Sequence, residues 1–167
     1  VTARAAPLPG TGPGTGPGTG ADGARPLVVV VDGSADGYTA AGYAGSLAAG
    51  SGSALTVALL LTTPWTLALE PLAMAYHSAG DAEIDMVTRL SRLLDPYGVR
   101  WDPQPVTYDP VATIGAAAVR RGADRVVAGR RRTARIARAL GRRYALAVLD
   151  TPAHLYTLKK DGNHGIH

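Results

Sequence analysis

Residues 109–141, DPVATIGAAAVRRGADRVVAGRRRTARIARALG, restrict the fold more than any other stretch, because they read as helix, strand, glycine turn and helix with almost nothing between. Asp109 can cap a helix beginning at Pro110, since proline's φ is already helical and its missing N–H would find no partner in the first turn. Val111, Ile114 and Ala118 recur at i, i+3 and i+7 and give that helix one narrow apolar face. Gly122 stands where a left-handed C-terminal cap is expected. The next segment, DRVVA at 124–128, is short and β-branched at its centre, the pattern of a strand buried on both faces of a parallel sheet. Gly129 follows directly. A glycine between a strand's carboxyl end and a helix lets backbone N–H groups approach an anion, so Gly129 marks the place to look for a ligand.

The remainder of the chain supplies further copies of this unit. Residues 27–31, LVVVV, form an unbroken apolar run closed by the turn residues Asp32, Gly33 and Ser34, and read as the central strand. A helix over about 36–49 follows, with Ala40, Ala44, Leu47 and Ala48 on one face and Tyr38 and Tyr43 at its edges. ALTVALLLT at 54–62 is a second continuous strand. Residues 62–80 take no assigned element, since Pro64 and Pro71 break the periodicity; Trp65 there is expected not to be fully exposed. From Asp81 a helix places Ile84, Val87, Leu90 and Leu94 on one side and ends at Pro96 and Gly98. Residues 101–108 carry Pro103 and Pro105, which cannot donate to a ladder, so this strand is expected at an edge or irregular. Residues 153–158, AHLYTL, alternate from Ala153 to Leu158 and are expected to close the sheet.

Composition narrows the function classes. A chain of 167 residues with 46% hydrophobic content holds one domain with a proper core, residues 27–158, between a Gly/Pro/Thr-rich leader at 1–26 and a polar tail at 159–167. No cysteine is present, which excludes disulfides and thiolate chemistry. His77 is a lone histidine without metal-ligand spacing, and His164 and His167 fall in the polar tail expected to be too mobile to hold an ion, so no metal is predicted. No signal peptide and no run of about 18 apolar residues is seen, so no membrane association and a cytoplasmic location are expected.

The formal charge of +4 is unevenly spread: Arg120 to Arg143 hold ten arginines against the single acid Asp124, so that stretch carries +9 and the rest −5. At about 100° per residue, Arg131, Arg135, Arg138 and Arg142 fall in one narrow sector of the last helix, opposite Ile136, Leu140 and Tyr144. Such a row is either a solvated face or a dock for a phosphate backbone or an acidic partner. No aromatic interleaves it and no helix-turn-helix or zinc pattern accompanies it, so sequence-specific DNA recognition is not expected.

P-x-x-x-I at 110–114 followed by GADRVVAG at 122–129, together with VVVVDGS at 28–34, resembles the universal stress protein family. The resemblance implies an α/β fold: a three-layer α/β/α sandwich with a five-stranded parallel sheet, Rossmann-like and akin to the adenine-nucleotide alpha-hydrolase architecture. ATP-binding members carry Gly, two residues, Gly, nine residues, then Gly followed by Ser or Thr. Here Gly129 matches the first glycine and Gly141 the last, while Arg132 stands at the second, Arg142 replaces the hydroxyl residue, and the spacing is one residue short. By residue type alone, Asp32 either accepts hydrogen bonds from turn amides or holds a ligand; the resemblance favours a place near adenosine. It likewise implies Leu60 at the adenine, and Gly129, Arg130, Gly141 and Arg142 at the phosphates of any bound ATP, with the three guanidinium groups of Arg130, Arg131 and Arg132 able to fork the same anions. It further implies a homodimer through the last strand. With the signature altered in this way, the chain is read as a regulatory or binding module in stress response that binds an adenine nucleotide weakly or not at all, and not as an enzyme. The alternative is a basic interaction protein that binds nucleic acid or an acidic protein through the arginine-rich last helix.

Overall fold

The computed structural model describes residues 24–61 and 72–155. In chain order these form β1 (Leu27–Val31), α1 (Ala35–Ser51), β2 (Leu55–Leu60), α2 (Leu72–Leu94), a 3-10 turn (Asp95–Tyr97), β3 (Trp101–Val106), α3 (Pro110–Arg121), β4 (Arg125–Ala128), α4 (Arg131–Tyr144) and β5 (Ala147–Asp150). The five strands make one parallel sheet in the order β3-β2-β1-β4-β5. Strand alternation divides its core in two. Leu27, Val29 and Val31 pack with Ala40, Ala44, Ala48, Leu90 and Leu94 of α1 and α2. Val28 and Val30 pack with Ile114, Ala118, Ile136, Ala137 and Leu140 of α3 and α4. Side chains on both faces of β1 are therefore sealed, at about 1.5–3 kcal/mol for each full-sized apolar one, and the molecule has the three predicted layers.

Local signals explain the element ends. Asp109 accepts from Ala112 N at 3.1 Å with Pro110 as the first helical residue, and Gly122 closes α3 at φ 68. Pro103 and Pro105 lie on β3, an outer strand of the sheet. Arg121, at the end of α3, donates to Thr56 Oγ1 at 2.9 Å and pairs with Asp102, tying β2 and β3 to the helix above them.

Three expectations change. The last strand is Ala147–Asp150, not residues 153–158. Ala145, at φ 55, turns the chain out of α4, and the first extended residues after it fill the slot beside β4. Thr151 N prolongs the ladder to Ala128 O at 3.2 Å, Pro152 has no N–H to continue it, and Ala153, His154 and Leu155 turn away. Residues 156–158 lie outside the described residues. Second, α2 begins at Leu72, ahead of Asp81, and Gly80 is accommodated inside it. Third, Ile84 is 66% exposed, because the stripe on the sheet is set by Met86, Leu90 and Leu94 at four-residue spacing, with Val87 and Leu93 beside them. The expected leader up to residue 23, the expectation for Trp65, and the tail lie outside the described residues.

Candidate functional site

In a parallel sheet every strand ends at the same rim, and the crossover helices begin there. β1 delivers the turn Asp32–Gly33–Ser34, whose Gly33 adopts φ 76, a conformation that favours glycine. Asp32 Oδ1 accepts from Ser34 N at 3.2 Å and from Ser34 Oγ at 2.6 Å. Ser34 is also the N-cap of α1, its Oγ accepting from Gly37 N at 3.1 Å. A relay of Gly37 N–H, Ser34 hydroxyl and Asp32 carboxylate thus fixes the turn to the helix. A Cβ on Gly37 would lie 2.8 Å from Asp32 Oδ1, so the glycine is what lets the helix seat against the carboxylate. The turn-amide role for Asp32 is realised, and its half-buried carboxylate stays at the rim.

β4 reaches the same turn of α1 from the other side. A Cβ on Gly129 would sit 2.8 Å from Asp36 O and 3.3 Å from Thr133 Oγ1. The first turn of α1 therefore touches both Asp32, through Gly37, and Gly129, through Asp36, which brings Asp32, Gly129 and the adjoining Arg130 to one place. Thr133, 1% exposed, donates its hydroxyl to Arg130 O at 3.1 Å, and Thr151 donates to Ala128 O at 2.9 Å. These two threonines shape the rim and sequence reasoning missed them; the hydroxyl of Thr133 in the first turn of a helix was the available signal.

Leu60 ends β2 at the rim, but its side chain is 4% exposed and points into the core under α3 and α4. Gly141 and Arg142 are not brought to the rim. The connection from β4 to α4 consists of Gly129 and Arg130 alone, and the residues that follow are helical. Gly141 lies in the last turns of α4, about 15 Å from its start at ~1.5 Å per residue. A Cβ there would meet Val148 Cγ2 at 2.9 Å and Leu146 O at 3.1 Å, where the helix rests on the entry to β5. The span that would be a phosphate loop is a helix whose spacing of Ile136, Ala137 and Leu140 buries it against the sheet.

The electrostatics of the rim are those of guanidinium groups and helix N-termini. Arg130, the N-cap of α4, makes no side-chain capping hydrogen bond, and Arg131 and Arg132 follow it exposed. Between the starts of α3 and α4 lies an open cleft of ≈ 560 Å³ lined by Pro110, Arg131, Arg132, Arg135 and Ile136. On the opposite face of the sheet, burial raises the pKa of the Tyr38 phenol above 10.0, Arg89 opposes the shift and Asp85 adds to it. Among the described residues no group of three or more His, Asp or Glu side chains that could hold a metal ion is assembled.

Comparison with known proteins agrees with this architecture. The family model described as "Universal stress protein family" matches residues 23–150. A protein of that family from Burkholderia pseudomallei superposes with a TM-score of 0.62 at 23% identity, covering 82% of this chain and 100% of its own. The universal stress protein from Archaeoglobus fulgidus in complex with dAMP gives 0.56 at 17% identity, with 77% and 98% covered. A family protein from Arabidopsis thaliana with AMP bound gives 0.53 at 13% identity, with 79% and 99% covered. No curated protein matches. At these identities the superpositions speak for the fold.

Proposed function

Because the chain belongs to the universal stress protein family, we propose that it is a regulatory binding module of the stress response whose rim takes a small adenine nucleotide. The observation that carries this reading is the convergence of Asp32 and Gly129 on one turn of α1, with Arg130 next in the chain. Asp32 faces the ribose and base, the backbone N–H groups at the start of α4 meet the phosphate, and the guanidinium of Arg130 forks it. The dAMP and AMP bound by the structural neighbours make a mononucleotide the natural probe. A triphosphate gains less here than from a glycine loop, since α4 starts at Arg131 and leaves no loop to wrap the outer phosphates. Gly141 and Arg142 fall outside this site. No catalytic step is part of the reading. A second copy pairs along β5, the outermost strand beside β4, which sedimentation or light scattering checks directly.

Thermal denaturation with AMP, ATP, adenosine and GMP tests the site. A ligand at 100 times its Kd adds about 2.7 kcal/mol, which at roughly 2–4 °C per kcal/mol for a chain of this size gives a saturable rise of about 5–11 °C. The rise should follow adenine and shrink in Asp32→Asn and Arg130→Gln. A midpoint that moves equally with GMP, or not at all, overturns the reading.

A further inference from the structure

The rim accounts for only the first arginines of α4. Arg135, Arg138 and Arg142 continue down the helix, all exposed, on the side opposite Ile136, Ala137 and Leu140. Among the described residues the ion pairs engage Arg25, Arg89, Arg121 and Arg125, and none engages Arg131, Arg135, Arg138 or Arg142. Arg138 Nε donates to Ala134 O at 3.2 Å, which holds that side chain along the helix. α3, packed beside α4, adds Arg120 and Arg121 and no acid within the helix. Of the acids on the neighbouring elements, Asp102 is paired with Arg121 and Asp124 with Arg25 and Arg125, while Asp109 caps α3 and Asp150 ends β5.

We infer that the outer face of α4 is a docking surface for the phosphate backbone of duplex nucleic acid, read without regard to base sequence. The geometry fits that occupant. From Arg131 to Arg142 the row rises about 16 Å at ~1.5 Å per residue, which spans about five phosphates at ~3.4 Å of axial rise per strand. Guanidinium forks suit phosphate oxygens. Other polyanions fit less well. A protein interface needs an apolar centre, and the exposed side of α4 offers arginine with small alanines between. A membrane-surface helix needs a free apolar face, and in α4 that face is buried on the sheet. Single strands are held by aromatic stacking, and the only aromatic of α4, Tyr144, lies under Arg143 at 5.6 Å and against Gly115 of α3.

The test is fluorescence anisotropy of the full chain with two labelled 20-base-pair duplexes of unrelated sequence, titrated from low to physiological salt. Binding should be equal for the two sequences, with log K falling by about 3–4 per decade of salt for four phosphate contacts at ~0.9 each. Arg135→Gln with Arg138→Gln should lower that slope by about 2, while Arg89→Gln with Arg92→Gln on α2, an equal loss of charge on the other face, should leave it unchanged. Asp32→Asn should leave duplex binding intact, which separates this surface from the nucleotide site. Failure to bind at low salt makes the row a solvated face and overturns the inference. So does equal weakening by the two double variants, or tighter binding to poly-glutamate or to anionic vesicles than to duplex.

Discussion

Gly129 was legible as the glycine between a strand and a helix, but the reason it must be glycine was not, because the atom that excludes a side chain belongs to α1. A Cβ would sit 2.8 Å from the carbonyl oxygen of Asp36, a backbone atom that cannot swing aside. Gly129→Ala should therefore cost about 1–3 kcal/mol, a fall of several degrees in Tm by calorimetry, and an unchanged midpoint would show that β4 and α1 meet less closely. Asp32 teaches the same point from the other direction. Its residue type left turn acceptor and ligand holder open, and the hydrogen bonds from Ser34 N and Oγ show that it serves the turn while remaining at the rim. Tyr38 carries a pH prediction. Burial lifts its phenol above 10.0, with Asp85 adding and Arg89 opposing. Because the folded value exceeds the unfolded one, the stabilisation is complete below about pH 10 and is lost as pH rises through the folded pKa. Tyr38→Phe should lose less stability than the parent chain as pH is raised above about 10 in denaturant melts; parallel losses would refute it.

At the scale of elements, apolar runs and their spacing identified β1, β2, β4, α1, α3 and α4, while β3, in which Val106 alone is buried, was legible from its prolines as an edge strand. Spacing had to be weighed against a competing signal where two readings shared a pattern. The span after Gly129 contains both a damaged loop signature and the helical spacing of Ile136, Ala137 and Leu140, and burial of those three side chains decides for helix. AHLYTL alternates better than AVLD, yet AVLD comes first after the left-handed Ala145 and takes the place beside β4. Ile84 fits an apolar stripe on α2 until Met86 is counted as its true member. The glycines of α1 supply a prediction at this scale. Gly50 has nothing within 4 Å of a built Cβ, whereas at Gly45 a Cβ would come 2.8 Å from Leu94 Cδ2 and 3.0 Å from Tyr97 Cδ2. Helix propensity favours Ala over Gly by about 0.8–1 kcal/mol in an interior position. Gly50→Ala should gain up to that amount, and Gly45→Ala should gain nothing or lose stability as α2 is pushed outward. Equal gains in urea titrations would mean that the α1–α2 contact yields without cost.

For the whole molecule, charge is the property that the fold organises most unevenly. The sequence placed +9 between Arg120 and Arg143; the fold gathers the exposed part of it onto the α3–α4 side of the sheet, while Asp85 and Arg89 balance each other at 3.0 Å on the α2 side. Within α4 the like-charged neighbours Arg131 and Arg135, Arg135 and Arg138, and Arg138 and Arg142 stand at i,i+4 or i,i+3, and each such pair opposes the helix by about 0.2–0.5 kcal/mol. Together they cost about 1 kcal/mol at low ionic strength. Screening lengths fall from ~30 Å at 0.01 M to ~10 Å at 0.1 M, so sodium chloride should relieve this repulsion while it also weakens the pairs of Arg25, Arg89, Arg121 and Arg125 with their acids. Those pairs are common to the parent chain and to Arg135→Gln with Arg138→Gln, so the difference between the two midpoints reads the row alone. The double variant should begin about 2–4 °C higher at ~0.01 M salt, and the gap should close by ~0.3 M. A gap that is absent, or that does not shrink with salt, would mean that the row carries no strain. If it shrinks, the chain retains arginines that its own folding does not need, and the same two substitutions that stabilise the domain are the ones that should empty its phosphate-binding face.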